Sequence, residues 1–263
     1  MSKTTLTLSD KYTAGLTDSD GSINLQFKKL PNDWLARPTL VLVWAQRTDN
    51  DTVLYQLQNS VGGTIKIKHI GSGDYTHLTL CGKKARVCLE RILPYLVIKK
   101  DFAQFCLDRM KLVWDGKDSS KKEYLTARQT CSPYPNFPAR KWLAGYFDGD
   151  GCISFSRFNK NGSANLIACI VCSDYDRAGI DIIQKNFGGH IYPVSVTRPH
   201  LLQWRLALPP SKVIDFFGYF NQHSIIKRNQ IDFILSQART GHFSDGAYIR
   251  QELKQLKAPT STD

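Results

Sequence analysis

Aspartate recurs twice in the same unusual setting, as Asp18-Ser19-Asp20-Gly21 and as Asp148-Gly149-Asp150-Gly151. Each tetrad lies within a longer match. The run from Tyr12 to Ile23 returns as the run from Trp142 to Ile153, with Ala-Gly, Asp-x-Asp-Gly and the closing Ile in register, and every matched pair is 130 residues apart (150 − 20). Upstream, Leu8, Tyr12 and Leu16 recur at four-residue spacing, as do Trp142 and Tyr146, so each tetrad sits at the C-terminal end of a helix with one apolar face. That end carries partial negative charge and should attract cations. Two helices packed side by side would bring Asp20 and Asp150 together with several unpaired carbonyls. The result is a hard-oxygen pocket suited to Mg²⁺, which takes a few carboxylates plus water and phosphate oxygens. A single Asp-x-Asp-Gly is explained by the turn into a following strand, its first aspartate hydrogen-bonding locally. Two copies at matched places argue for chemistry, with Asp18 and Asp148 as the members expected to serve structure.

Ala14-Gly15 and Ala144-Gly145 fall mid-helix, where glycine costs about 1 kcal/mol relative to alanine. Two helices crossing at these small residues would offset that cost, because missing side chains let backbones approach. The order of elements after each motif also repeats. The first copy is followed by strands over 22–29 and 39–47, a helix ending in Val61-Gly62-Gly63, strands over 64–70 and 75–80, and helices over 83–93 and 101–114. The second is followed by strands over 152–158 and 165–173, a helix ending in Phe187-Gly188-Gly189, strands over 190–196 and 203–208, and helices from Ser211 onward. The fold class is therefore α+β, two pseudo-symmetric αββαββα halves. Residues 1–115 form the first repeat, 116–138 a Ser-, Lys- and Pro-rich linker, 139–256 the second repeat and 257–263 a polar tail. Pro138 before Ala139 suits a helix start, and Ser9 suits a cap.

Composition narrows the partner. Lysine and arginine number 35 against 23 acids, a net charge of +12, so a polyanion is expected and nucleic acid is the first candidate. No apolar run approaches the roughly 20 residues that span a bilayer, and Met1 to Leu8 lacks the pattern of an export signal. Seven scattered cysteines suit free thiols in a reducing compartment. Cys169 and Cys172 form a C-x-x-C inside a strand, where an offset of three sends the side chains to opposite faces, so no zinc site is expected. The six histidines show no ligand spacing.

These residues resemble the LAGLIDADG homing endonucleases in their single-chain, two-motif form. Thr13-Ala-Gly-Leu-Thr-Asp-Ser-Asp-Gly21 and Leu143-Ala-Gly-Tyr-Phe-Asp-Gly-Asp-Gly151 stand for the nine-letter motif; the first departs from it at Thr13, Thr17 and Ser19, and the last acid is intact in both. The resemblance covers residues 8 to about 240. It implies that the motif helices form the interface between halves and that two four-stranded antiparallel sheets make a saddle over the DNA major groove. It implies metal binding by Asp20 and Asp150, joined by the carbonyls of Ser19 and Gly149, with Mg²⁺ as cofactor and Mn²⁺ or Ca²⁺ able to substitute for binding. A polar residue, often glutamine, ends the family's second strand: Gln46 stands there in the first half, but the equal count in the second lands on Cys172. A lysine follows the fourth strand, which points to Lys99 and Lys227 as stabilisers of phosphate charge or of the attacking water. The implied activity is metal-dependent hydrolysis of both strands of a long DNA site by a monomer, leaving 3′ overhangs. Family members usually sit inside organellar or archaeal introns, and the origin expected here is an organelle, chloroplast or mitochondrion.

Strand alternation picks out side chains able to meet base edges. These are Ser22, Asn24, Gln26 and Lys28, with Lys66 and Lys68, in the first half, and Ser154, Ser156, Gln203 and Arg205 in the second. A solvated sheet face would show the same pattern. Two other readings suit the same fold: an RNA maturase that assists splicing, and a DNA-binding protein without nuclease activity. Intact Asp20 and Asp150 favour cleavage over both.

Overall fold

The computed structural model describes residues 8–27, 38–71, 73–111, 118–129, 139–155, 166–173, 177–195, 197–208, 210–240 and 246–256. The first half runs α1 (Asp10–Ser19), β1 (Gly21–Phe27), β2 (Pro38–Arg47), α2 (Thr52–Val61), β3 (Thr64–Ile70), β4 (Gly73–Cys81), α3 (Lys83–Ile92) and α4 (Lys100–Arg109). After α5 (Asp118–Gln129) the second half repeats the order. It comprises α6 (Arg140–Asp150), β5 (Gly151–Phe155), β6 (Leu166–Ser173), α7 (Arg177–Phe187), β7 (His190–Ser195), β8 (Arg198–Leu208), α8 (Pro210–Phe220), α9 (Arg228–Thr240) and α10 (Gly246–Gln255). Each half builds one antiparallel four-stranded sheet, in the orders β1-β2-β4-β3 and β5-β6-β8-β7.

The expected αββαββα order is present in both halves, with two differences of extent. The segment 116–138, expected to be a linker, carries α5. Its Tyr124 ring meets Phe102 edge-on at 5.4 Å, and Arg109 pairs with Glu123, so α5 docks on α4. The last strand, expected from Gln203, begins at Arg198, because Leu201 and Leu202 continue the ladder to Ser173 and Cys172 of β6.

One apolar core runs through both halves, and α1 and α6 form its spine. Tyr12, Ala14, Leu16, Trp142, Leu143, Ala144, Tyr146 and Phe147 are all buried in it. Ser9 caps α1, its Oγ accepting from Tyr12 N at 3.3 Å, whereas α6 starts after Ala139 without a side-chain cap. The helices cross at the expected small residues. A Cβ on Gly15 would lie 2.0 Å from the Trp142 carbonyl oxygen, and one on Gly145 would lie 2.2 Å from that of Tyr12. Glycine is required at both places, since backbone meets backbone there. Burial pushes the Cys88 and Cys106 thiols up to about 12. No helix among the described residues is long and apolar enough to cross a membrane.

Candidate active site and sheet faces

Neither motif helix has a basic residue in its last turn, so the negative helix ends need cations from elsewhere. They come from the loops before α4 and α9. Lys99 Nζ donates to the carbonyls of Thr17 (2.8 Å), Ser19 (3.1 Å) and Gly21 (2.8 Å). Lys227 Nζ donates to the carbonyl of Asp148 and to that of Gly149 at 3.4 Å. Each lysine thus caps the helix of its own half, as the repeat requires. A carbonyl oxygen has two lone pairs, so Ser19 and Gly149 keep one each for another partner.

The two acidic tips meet. A Cβ on Gly149 would fall 2.1 Å from Ser19 Oγ and 3.0 Å from Asp20 Oδ2, so the ends of α1 and α6 touch where Asp20 and Asp150 emerge. Gln46, at the end of β2, donates from Nε2 to Asp20 Oδ2 at 2.5 Å. Burial raises the Asp20 carboxyl above the ordinary range, opposed first by the charge of Lys227, then by the Gln46 hydrogen bond and the charge of Lys99. Burial lowers the Lys227 ammonium, opposed by Asp148, Asp20, Cys152 and Asp150 in that order. Lys227 therefore feels the acids of both motifs. Among the described residues no group of three or more His, Cys, Asp or Glu side chains could enclose a metal. The donor set is a carboxylate pair with adjoining carbonyls, which fits a cation that completes its shell with water and phosphate oxygens.

Asp18 and Asp148 are buried and serve structure, though not locally. Asp18 accepts from the backbone nitrogens of Val97 and Lys99 and from Trp142 Nε1, each at 2.8 Å. Asp148 accepts from Tyr12 Oη (2.7 Å), Ser224 Oγ (2.5 Å) and the nitrogens of Ile225 (2.6 Å), Ile226 (3.1 Å) and Lys227 (3.1 Å). Burial raises the Asp18 carboxyl, opposed by those amides, the Lys99 charge and the Trp142 indole. Sequence reading placed Tyr12 and Trp142 on an apolar face and missed their polar ends. The available signal was that both are aromatic residues with a hydrogen-bond donor at one repeated position.

Strand register sorts the sheet faces. Asn24 lies opposite Val41 and Cys81, Ser22 lies in a row with Val43, Thr79 and Thr64, and Lys66 faces His77 and Ala45. Ser22, Asn24, Gln26, Lys66 and Lys68 therefore share one face, opposite the face that buries Ile23, Leu42, Leu80 and Trp44. In the second sheet Ser154, Gln203 and Arg205 share the equivalent face with Val171 and Tyr192. Lys28 and Ser156 lie outside the described residues. Gly21 pairs with Trp44 and Gly151 with Ile170, so two residues further on Cys172 occupies the position of Gln46.

No protein-family model matches the chain. It is 26% identical over 186 residues to the probable intron-encoded endonuclease Cox1-I1b of Schizosaccharomyces pombe, a match covering 64% of this chain and 48% of that protein. The match thus spans about half the length of that relative. It is 30% identical over 111 residues to the DNA endonuclease I-CvuI of Chlorella vulgaris, covering 41% of this chain and 68% of I-CvuI. Among solved structures, the LAGLIDADG homing endonuclease I-GzeII in complex with its DNA target superposes with a TM-score of 0.70 at 15% identity, covering 95% of this chain and 97% of that one. I-SmaMI bound to uncleaved DNA with calcium ions gives 0.64 at 21% identity, covering 95% and 98%. With two motif helices paired at Gly15 and Gly145 and two sheets of matching strand order, the chain belongs to the LAGLIDADG homing endonucleases, in their single-chain, two-motif form.

Proposed function

We propose that this chain is a site-specific endonuclease that hydrolyses both strands of a DNA duplex with divalent cations held between Asp20 and Asp150. The observation that carries the reading is the convergence of two acidic helix ends between two sheets whose polar faces are open. Residues 1–115 and 139–256 supply one half-site each as a monomer and 116–138 joins them through α5; 257–263, expected as a tail, lies outside the described residues. The intron-encoded relative supports a place in intron homing, and an organellar origin is what the family resemblance adds.

Asp20 and Asp150 would hold the metal, Mg²⁺ by the hardness of its donors, with Mn²⁺ or Ca²⁺ as binding substitutes and the carbonyls of Ser19 and Gly149 in reach. When bound, the cation supplies Lewis acidity, lowering the pKa of a water and neutralising charge on the phosphate. Gln46 fixes the Asp20 carboxylate and orients water on that side; Cys172, standing at its counterpart position, makes the two centres unequal. Lys99 and Lys227 place positive charge beside each centre, where it offsets charge building on the phosphate. Ser22, Asn24, Gln26, Lys28, Lys66, Lys68, Ser154, Ser156, Gln203 and Arg205 meet the major groove, and strand cuts across the minor groove leave 3′ overhangs.

The test begins by selecting cleaved duplexes from a randomised DNA library in Mg²⁺ and measuring both strand cuts on the selected site. Asp20→Asn and Asp150→Asn should each reduce double-strand cleavage by at least about 10²-fold while duplex binding in Ca²⁺ persists. Cleavage that survives both substitutions, or proceeds in excess chelator, overturns the reading.

A further inference from the structure

Both lysine loops hang from a buried aspartate, and each aspartate is completed by the other half. The Asp148 carboxylate, 1% exposed, collects three consecutive backbone amides, those of Ile225, Ile226 and Lys227, together with the Ser224 hydroxyl. Successive amides converging on one anion fix the loop's dihedrals, because a shift of the carboxylate must carry all of them with it. Lys227 is held at both ends of the residue, its nitrogen on the Asp148 carboxylate and its Nζ on the Asp148 carbonyl. Lys99 is held in the same manner, its nitrogen on Asp18 and its Nζ on the carbonyls of Thr17, Ser19 and Gly21.

The remaining donor to each carboxylate crosses the pseudo-twofold axis. Tyr12, on the first motif helix, reaches Asp148 at 2.7 Å; Trp142, on the second, reaches Asp18 at 2.8 Å. The two donors are equivalent positions of the repeat. Tyr12 is buried and its phenol is raised well above the ordinary value, chiefly by desolvation and then by Asp148, so it stays a donor. A buried carboxylate that loses a donor leaves an oxygen lone pair unpaired, and it rotates or draws in another partner to recover the loss.

We infer that Tyr12 and Trp142 are positioning residues that each set the lysine of the opposite half, Tyr12 acting through Asp148 on Lys227 and Trp142 acting through Asp18 on Lys99. This rests on the reading of Lys99 and Lys227 as the charges beside two strand-cutting centres. The arrangement ties each lysine to the fit between halves: a half that docks badly loses a donor to its neighbour's lysine anchor, so cutting of one strand depends on the seating of the other half.

A merely structural role would slow both strands together, whereas this linkage is strand-specific and crossed. Lys99→Met and Lys227→Met, assayed in single turnover with Mg²⁺ on a duplex selected by this protein and labelled on each strand, assign each strand to its lysine. Tyr12→Phe should then slow, by about tenfold, the strand assigned to Lys227 and leave the other unchanged. Trp142→Phe should do the reverse. Equal slowing of both strands, or slowing of the strand assigned to the variant's own half, overturns the inference while leaving the nuclease reading standing. Hydrogen exchange provides a readout independent of cleavage. Tyr12→Phe should accelerate the amides of 225–227 and spare those of 97 and 99, with the opposite pattern for Trp142→Phe. Unchanged exchange at both loops overturns the linkage. If the unmodified protein cuts no selected duplex, the nuclease reading falls and the exchange pattern alone decides the linkage.

Discussion

At position 15 the missing side chain matters more than most of those present. A methyl there would sit 2.0 Å from the Trp142 carbonyl oxygen, 2.8 Å from its carbon and 2.9 Å from Tyr146 N, all backbone and unable to swing aside. Gly15→Ala gains about 1 kcal/mol of helix propensity and must push α1 and α6 apart, which overpacking data price at roughly 1–3 kcal/mol or more in a tight core. Chemical denaturation should show net destabilisation of up to about 2 kcal/mol, and a stabilised variant would mean that the two helices can part at this crossing without cost. The pairing of Gly15 with Gly145 was legible because an interior glycine at two matched helix positions needs a reason. The family resemblance made the positions of Gln46, Lys99 and Lys227 legible, and the fold sets all three around Asp20. The polar ends of Tyr12 and Trp142 were not, because four-residue spacing reports burial and their acceptors lie 136 and 124 residues away. For the same reason the reach of Asp18 and Asp148, expected to serve structure, was not legible: they hold loops about 80 residues downstream, Lys99 being 81 residues from Asp18 and Lys227 79 from Asp148.

Among the elements, the order of strands and helices could be read twice over, and each copy corrected the other. That advantage disappears between the copies. Residues 118–129 are rich in serine and lysine, and they present two apolar contacts to the protein, Tyr124 and Ala127, while Leu125 stays 47% exposed. A stripe that thin is outweighed by its polar neighbours, so α5 looked like a linker. What makes it a helix is docking: the Tyr124 ring against Phe102 at 5.4 Å and the Arg109–Glu123 pair. Short helices gain most of their stability from such a face and little from propensity. Tyr124→Ala should therefore release α5, with rapid exchange of its amides and a loss of about 1–3 kcal/mol from the first half. Exchange protection that persists over 118–129 would show that α5 is held by something other than this ring. The early start of β8 has a related cause. Arg198 and Pro199 carry no strand signal of their own, and pairing with β6 and β7 imposes the extension.

Across the whole molecule the two halves share a backbone plan and differ in what their open faces offer a duplex. The first sheet presents Lys66 and Lys68 on its exposed edge strand β3, with Gln26 exposed on β1. The second places Val171, Gln203 and Tyr192 in one row, with Val171 37% and Tyr192 41% exposed, and stacks His190 near Tyr192 at 6.3 Å between ring centroids. Lysines can pair with phosphate or guanine, whereas the apolar members of this row, Val171 and the Tyr192 ring, suit the thymine methyl. Two measurements on the selected duplex separate these modes. Lys66→Ala or Lys68→Ala should reduce the slope of log affinity against log salt by about 1 if the ammonium releases a counterion from phosphate. Val171→Ala should leave that slope unchanged. Replacing thymine by deoxyuridine throughout the half-site under the second sheet removes methyl groups and keeps every hydrogen-bonding edge. Each methyl that packs on the row contributes about 0.8 kcal/mol, or roughly fourfold in affinity. The unmodified protein should lose that factor on the uridine duplex and the Val171→Ala protein should lose less, because its contact is already gone. Equal losses in both proteins would mean that the methyl groups rest elsewhere, and a deoxyuridine duplex bound as tightly as the thymine one would take Val171 and the Tyr192 ring out of sequence reading altogether.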